Sequence, residues 1–309
     1  MSEPAALSAI DSPPIVLVKG AGDVGSAVAH ALLRAGYRPL LVDVPAPTVA
    51  RRRMAFADAL FDGAAVLDGV RAVRVDTPDR LLALLASGRE VPVMAWRDSD
   101  DPRAALPPGL HLAAVIDARM RKRVRPERQI DQAPLVIGLG PGFRAGETVH
   151  AAIETNWGPD LGQVLWAGEP AAYTGQPRAI LGYARERYLY APHAGCFRTS
   201  LDVGARVARG QVVGRVDETP LAAGIDGVIR GITRDGVLVT AGAKLVDVDP
   251  RGDPALAAGV GERPRRIAAG VLAALRAGGV YPRIGAADGF PAARGADRRD
   301  GTLLAPGHG

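Results

Sequence analysis

Apolar residues along the first half of the chain come in short runs, each followed by a polar or glycine-rich break. Residues 15–18 form the first run. Leu40-Leu41-Val42 form another, ending at Asp43. Between them, residues 23–35 carry helical spacing, closed by Gly36. The pattern predicts a strand, a helix and a second strand. Residues 51–60 read as a further helix, and residues 67–75 as a strand region interrupted at Gly69. Residues 78–86 fit a helix with proline near its start and Leu81, Leu82, Leu84 and Leu85 buried; Gly88 ends it. Residues 91–96 and 112–116 are apolar runs suited to parallel strands covered on both faces. Alternating strands and helices predict an α/β fold, a Rossmann-like doubly wound parallel sheet, over residues 15–130.

Beyond this unit, residues 131–190 read as a glycine loop and a connecting segment. Residues 191–250 hold a duplication: Ala191, Gly195, Arg198, Gly204, Val207, Gly210 and Val216 recur 32 positions later as Ala223, Gly227, Arg230, Gly236, Val239, Gly242 and Val248. Two β units of this size cannot each bury a core, but they can interlock into one small sandwich. The module resembles the barrel-sandwich fold of biotinyl and lipoyl carrier domains. The expected hairpin, Asp217-Glu218-Thr219-Pro220, has no lysine, so neither biotin nor lipoate is expected. Residues 251–289 contain a C-terminal helix with Ile267, Val271, Leu272 and Leu275 on one face. Residues 1–14 read as a flexible leader and residues 290–309 as a disordered tail.

The 309-residue chain is 48% hydrophobic and 23% charged, as in ordinary globular proteins. No apolar run reaches the ~20 residues of a membrane helix, and no secretory signal is visible. These features predict a cytoplasmic protein without a membrane partner. Cys196 is the single cysteine, which excludes an internal disulfide and paired-cysteine metal sites. Net charge is +5, but aromatic content is 5% and no nucleic-acid-binding signature is present, which argues against such a partner.

The chemistry concentrates after the first strand. Gly20, Gly22 and Gly25 have the G-x-G-x-x-G spacing, with Asp23 and Val24 inside it. The first glycine permits a tight turn, the second close approach of a pyrophosphate, and the third helix–strand packing. Asp43 lies about 20 residues on, where a carboxylate can hold a ribose hydroxyl. Arg51-Arg52-Arg53 would clamp a cofactor phosphate or form a solvated helix face. Asp117, Arg119 and Lys122 follow a strand end, where open α/β sheets bind ligands. Gly138 to Glu147, with Gly140, Gly142 and Arg144, would be a second anion nest or a tight turn. No metal site is expected, and no catalytic residue emerges.

The combination of Val18-Lys19-Gly20-Ala21-Gly22-Asp23-Val24-Gly25, Asp117-Ala118-Arg119-Met120, Ala133-Pro134-Leu135-Val136-Ile137-Gly138-Leu139-Gly140-Pro141-Gly142-Phe143, Ile153-Glu154-Thr155-Asn156 and the repeat ending at residues 246–251 resembles the selenium-dependent molybdenum hydroxylase system protein family, the YqeB-like proteins. The resemblance implies an accessory or maturation factor for a molybdenum-cofactor hydroxylase. Its partners would be that hydroxylase or its maturation machinery. Its ligand would be NAD(P) or the dinucleotide form of the molybdenum cofactor. The alternatives are an NAD(P)-dependent oxidoreductase and a non-catalytic interaction protein.

Overall fold

A computed structural model describes residues 13–96, 106–121 and 124–282. Lys122, most of the expected leader and the expected tail lie outside the described residues. Nine strands form one mixed sheet: β1 (Ile15–Lys19), β2 (Arg38–Asp43), β3 (Ala64–Leu67), β4 (Val70–Val75), β5 (Val91–Ala95), β6 (Leu112–Asp117), β7 (Leu135–Leu139), β8 (Ala151–Ile153) and β9 (Val164–Leu165). Their order is β3-β4-β5-β2-β1-β6-β7-β8-β9. Pairing is parallel from β4 through β8 and antiparallel at both edges.

Both faces of the central strands are covered. Val16 and Val18 of β1 join a core with α1 (Asp23–Arg34) and α4 (Glu262–Ala277). Leu17, between them, points to the opposite core with Leu81, Leu84 and Leu85 of α3 (Pro78–Ser87). Successive strand residues alternate faces, so a fully covered strand reads as a continuous apolar run. Ile267, Val271 and Leu275 of α4 are buried, contributing roughly 1.5–3 kcal/mol each. The C-terminal helix is therefore part of the sheet's own core, packed beside α1.

The doubly wound expectation holds only for part of the sheet, which is a mixed α/β sheet with a C-terminal helix. Among the described residues, no α-helix joins β6 to β7 or β7 to β8; only a 3-10 turn at Ile130–Gln132 intervenes. The cover for that half comes from α4. The expected helix at 51–60 is instead a 3-10 turn, Arg52–Met54, and a single turn, α2 (Ala59–Asp62). The Ala50 carbonyl accepts the Ile232 N–H at 2.7 Å, which fixes this stretch against the second unit in place of a longer helix. Residues 64–75 form a β3–β4 hairpin. Its turn, Asp68-Gly69, has φ of 44° and 75°, the left-handed pair that such tight hairpins require.

The duplicated region folds as two four-stranded sheets over one core. One sheet holds β10 (Tyr188–Tyr190), β12 (Arg206–Val207), β15 (Gly227–Ile232) and β17 (Lys244–Asp249). The other holds β11 (Gly195–Arg198), β13 (Val212–Val216), β14 (Thr219–Ala222) and β16 (Leu238–Val239). Strands exchange between the copies: β11 of the first pairs with β16 of the second, and β12 likewise pairs with β15. Phe197 and Val216 from one sheet meet Ile229, Ile232 and Val246 from the other. Lys244 lies away from the hairpin tip, 4.5 Å over the Tyr188 ring. Among the described residues, no helix is long and apolar enough to cross a membrane.

Candidate functional site

The first glycine loop is arranged from within. The Gly20 N–H donates to the Val42 carbonyl at 2.7 Å, and Gly20 adopts φ of 101°. A Cβ on Gly25 would stand 1.9 Å from the Gly20 carbonyl oxygen, so the helix presses on the turn as closely as backbone allows. A Cβ on Gly22 would meet nothing within 4 Å. A Cβ on Gly20 or Gly25 would therefore press on backbone, whereas one on Gly22 would meet open space.

Asp43 turns into this loop. Its Oδ2 accepts the Ala21 N–H at 2.6 Å and its Oδ1 accepts the Val44 N–H at 2.8 Å. The start of α1 has its own anion: Asp23 Oδ1 accepts the Val24 N–H at 3.0 Å, and Oδ2 pairs with Arg51 at 3.0 Å. Arg51 continues to Asp247 at 2.9 Å, and Arg187 binds the other Asp247 oxygen at 2.8 Å. Burial pushes the Asp23 and Asp247 carboxyls up, but the surrounding cations outweigh it and hold both below the usual aspartate range. Arg52 pairs with Asp58 and Asp202, and Arg53 with Asp202. Arg51 and Arg52 fasten the sheet to the β module, while Arg53 stands half exposed with a longer contact to the same Asp202.

A second network lies beyond β6. Asp117 Oδ1 accepts the Arg119 N–H at 3.1 Å and its Nε at 3.0 Å, and Arg119 Nη2 reaches Oδ2. Gln129 Nε2 donates to Asp117 Oδ2 at 2.7 Å, while Gln129 Oε1 accepts from the buried Lys19 ammonium, also at 2.7 Å. Glu127 bridges Arg119 at 2.7 Å and Arg121 at 2.5 Å. Burial raises the Glu127 carboxyl, but these arginines and backbone donors prevail and bring it down to about 2. Asp117 is likewise lowered: burial opposes, and Arg119 and Gln129 prevail.

These elements meet at the carboxyl ends of β1, β2, β5 and β6. A crevice of about 160 Å³ opens there, lined by Gly20, Val42, Asp43, Val44, Trp96, Arg119 and Arg121. Strand order reverses between β1 and β6, the position where ligands enter open α/β sheets. Trp96 is 6% exposed, and its Nε1–H is buried without a hydrogen-bond partner among the described residues. An orphaned buried donor costs about 1–3 kcal/mol.

Of the expected site residues, the structure brings Gly20, Asp43 and Arg119 to this crevice. Gly22, Asp23, Val24 and Gly25 form the loop and helix start beside it, and Asp117 anchors Arg119 from below. Gly140, Gly142 and Arg144 are not in its lining. A Cβ on Gly140 would meet Thr155 Oγ1 at 2.8 Å, and one on Gly142 would meet Pro126 at 2.9 Å. Arg144 pairs with Glu169 at 2.5 Å and Glu147 at 3.4 Å, so this loop is a tight turn. Trp96 and Arg121 do not stand out as site residues in the sequence. Both lie just past strand ends, which is the signal that marks them. His150 accepts the Val136 N–H through Nδ1 at 2.9 Å, a structural bond. Among the described residues, no group of three His, Cys, Asp or Glu side chains is placed to hold a metal.

A dinucleotide does not fit these residues. The crevice, at about 160 Å³, falls below even the 300–1,000 Å³ of drug-sized sites. The diphosphate seat at the start of α1 has the protein's own Asp23 carboxylate, and Asp43 faces backbone amides rather than a ribose.

No protein-family model matches the chain. Among solved structures, it is similar to the product-bound ectoine utilization protein EutE (DoeB) from Ruegeria pomeroyi, with 13% identity and a TM-score of 0.23, covering 77% of this chain and 85% of that one. It is also similar to a succinylglutamate desuccinylase/aspartoacylase from Rhodobacter sphaeroides, with 15% identity and a TM-score of 0.22, covering 77% and 86%. Neither is a molybdenum-hydroxylase factor or an NAD(P)-dependent oxidoreductase by name. It is the geometry above that corrects the expectation of a nucleotide-binding Rossmann site, and the maturation-factor and oxidoreductase readings built on it are not kept. At such TM-scores the likeness carries no hydrolase assignment in their place. The uncharacterized protein YqeB of Escherichia coli (strain K12) is 40% identical over 261 residues, which is 84% of this chain and 47% of that protein. Over those residues the chain is YqeB-like, spanning about half the length of the curated relative it matches.

Proposed function

We propose that the chain binds a small oxyanion-bearing molecule, a carboxylate or a phosphate monoester, in the crevice at the carboxyl edge of the parallel sheet. The carrying observation is the pair of guanidinium groups, Arg119 and Arg121, lining one crevice together with the Trp96 side chain. Guanidinium groups recognise carboxylate and phosphate oxygens through their fork of N–H groups. Asp117 and Glu127 fix where the two guanidinium groups stand, so little side-chain entropy remains to be lost on binding. The volume, below the 300–1,000 Å³ typical of drug-sized sites, suits a small ligand.

Isothermal calorimetry with propionate, lactate, inorganic phosphate and ethyl phosphate tests this reading. Saturable binding at one site, weakened at least tenfold by Arg121→Gln, is the expected result. The carboxylate and phosphate arms separate the two ligand sources. Heats at dilution level for all four compounds would remove the reading.

A further inference from the structure

A hydroxyl, an imidazole and a carboxylate meet on the β module, at the turn between β13 and β14. His193, in the bend before β11, places Nδ1 2.9 Å from the Ala194 carbonyl oxygen and Nε2 3.0 Å from Thr219 Oγ1. A carbonyl only accepts, so in the neutral ring Nδ1 carries the proton and Nε2 the lone pair. The Thr219 hydroxyl is then the donor to Nε2. Asp217 Oδ2 lies 3.8 Å from Nδ1. The turn holds this carboxylate in place. Asp217 adopts φ of 47°, its N–H donates to the Cys196 carbonyl at 3.0 Å, and its Oδ1 accepts the Cys196 N–H at 2.9 Å. A Cβ on Gly195 would stand 2.1 Å from Oδ2, so glycine there makes room for it.

We propose that Thr219 is a nucleophile with His193 as its general base, and that the pair takes an acyl group from a small, uncharged, activated ester or thioester. A hydroxyl hydrogen-bonded to a base, with the base oriented by further groups, is the arrangement that makes such an oxygen reactive. As Thr219 Oγ1 bonds to the carbonyl carbon, its proton passes to Nε2. The bond from that carbon to the leaving oxygen or sulfur then breaks, and the leaving group takes the proton from Nε2. Water, activated by the same nitrogen, releases the acid and restores the hydroxyl. Asp217 is the positioning residue, offsetting the imidazolium charge from the Nδ1 side. Charge selects the substrate class. Arg215, Asp217 and Glu218 together carry one negative charge beside the hydroxyl, which disfavours an anionic phosphoryl donor and admits a neutral carbonyl. Access needs no opening, because the His193 and Asp217 side chains are 44% and 52% exposed. General-base assistance contributes about 10²–10⁴-fold, which suits an ester already activated by its leaving group.

The full chain and p-nitrophenyl acetate test the proposal. The expected result is p-nitrophenolate release above the buffer rate, with acetyl found on Thr219 by peptide mass spectrometry after acid quenching. Thr219→Val and His193→Gln, each checked for folding by circular dichroism, should lower the enzymatic rate at least tenfold. Asp217→Asn should lower kcat at unchanged KM. Cys196→Ser removes the chain's one thiol and should leave the rate within twofold. A release rate no higher than buffer, acetyl absent from Thr219, or a loss below tenfold in folded Thr219→Val or His193→Gln overturns the proposal. Loss of the activity in Cys196→Ser also overturns it, because the thiol is then the nucleophile. An unchanged kcat in Asp217→Asn overturns the assignment to Asp217.

Discussion

The Asp43 carboxylate accepts the Ala21 N–H at 2.6 Å, tying the end of the second strand to the turn after the first. With the Val44 N–H on its other oxygen, Asp43 organises the loop floor before any ligand arrives. Asp43→Ala strands two backbone donors and is expected to lower stability by about 1–3 kcal/mol. Asp43→Asn keeps one carbonyl acceptor and loses less. Urea denaturation of the three proteins measures both effects, and equal losses in the two variants would contradict this account.

Asp247 is fully buried between Arg51 and Arg187, from two different parts of the chain. Removing one partner of a buried ion pair leaves the others unmatched, at a cost of about 3–5 kcal/mol. Asp247→Ala is expected to fall in that range. Because Arg51 also binds Asp23, the variant should loosen the sheet from the β module, read as faster amide exchange at Ile232 and Ala50. A stability change below about 1 kcal/mol would show that the cluster does not fasten the two parts.

Acid should weaken the fold in a defined window. The Asp23, Asp117, Asp247 and Glu127 carboxyls all sit below their ordinary values when folded. Between the two values the unfolded chain binds more protons, so stability falls as pH falls. For Glu127 this contribution is complete above about pH 4.5 and disappears as pH drops to about 2. Denaturation midpoints measured from pH 7 to pH 2 should stay level to about 4.5 and then decline. Glu127→Gln should flatten part of that decline; a decline unchanged by the substitution would count against the Arg119–Glu127–Arg121 bridge.

The glycine spacing separates two roles. Gly25→Ala drives a methyl into the Gly20 carbonyl and should cost about 1–3 kcal/mol or more. Gly22→Ala meets open space at an ordinary backbone conformation and should change stability by less than about 1 kcal/mol. Thermal unfolding of both variants tests the contrast, and similar losses would erase it.

Much of the sheet is legible in the sequence because its central strands are covered on both faces and therefore read as unbroken apolar runs ended by glycine or acid. The glycine triplet marks the β1–α1 turn, but the same spacing serves backbone packing or a diphosphate, and residues in sequence do not distinguish them. The Asp68-Gly69 dipeptide suits a hairpin turn, yet its short flanking strands read equally as one strand broken at Gly69. The partners of Arg51 are not readable: Asp247 lies 196 positions away, and nothing local marks the pair. The candidate crevice is half visible. Gly20, Asp43 and Arg119 announce themselves by position after strands, whereas the missing partner of Trp96 exists only once the tertiary structure is formed.

The central claim, that a small oxyanion enters the crevice beside Trp96, is tested most directly by the indole N–H signals of ¹⁵N-labelled protein. The chain has three tryptophans, so three indole peaks are expected, and Trp96→Phe identifies one of them. Titration with lactate, alanine and ethyl phosphate should shift that peak, saturably, for at least one compound, with the Trp157 and Trp166 peaks unmoved. A Trp96 peak that stays in place while the others shift, or that no compound moves, contradicts the account.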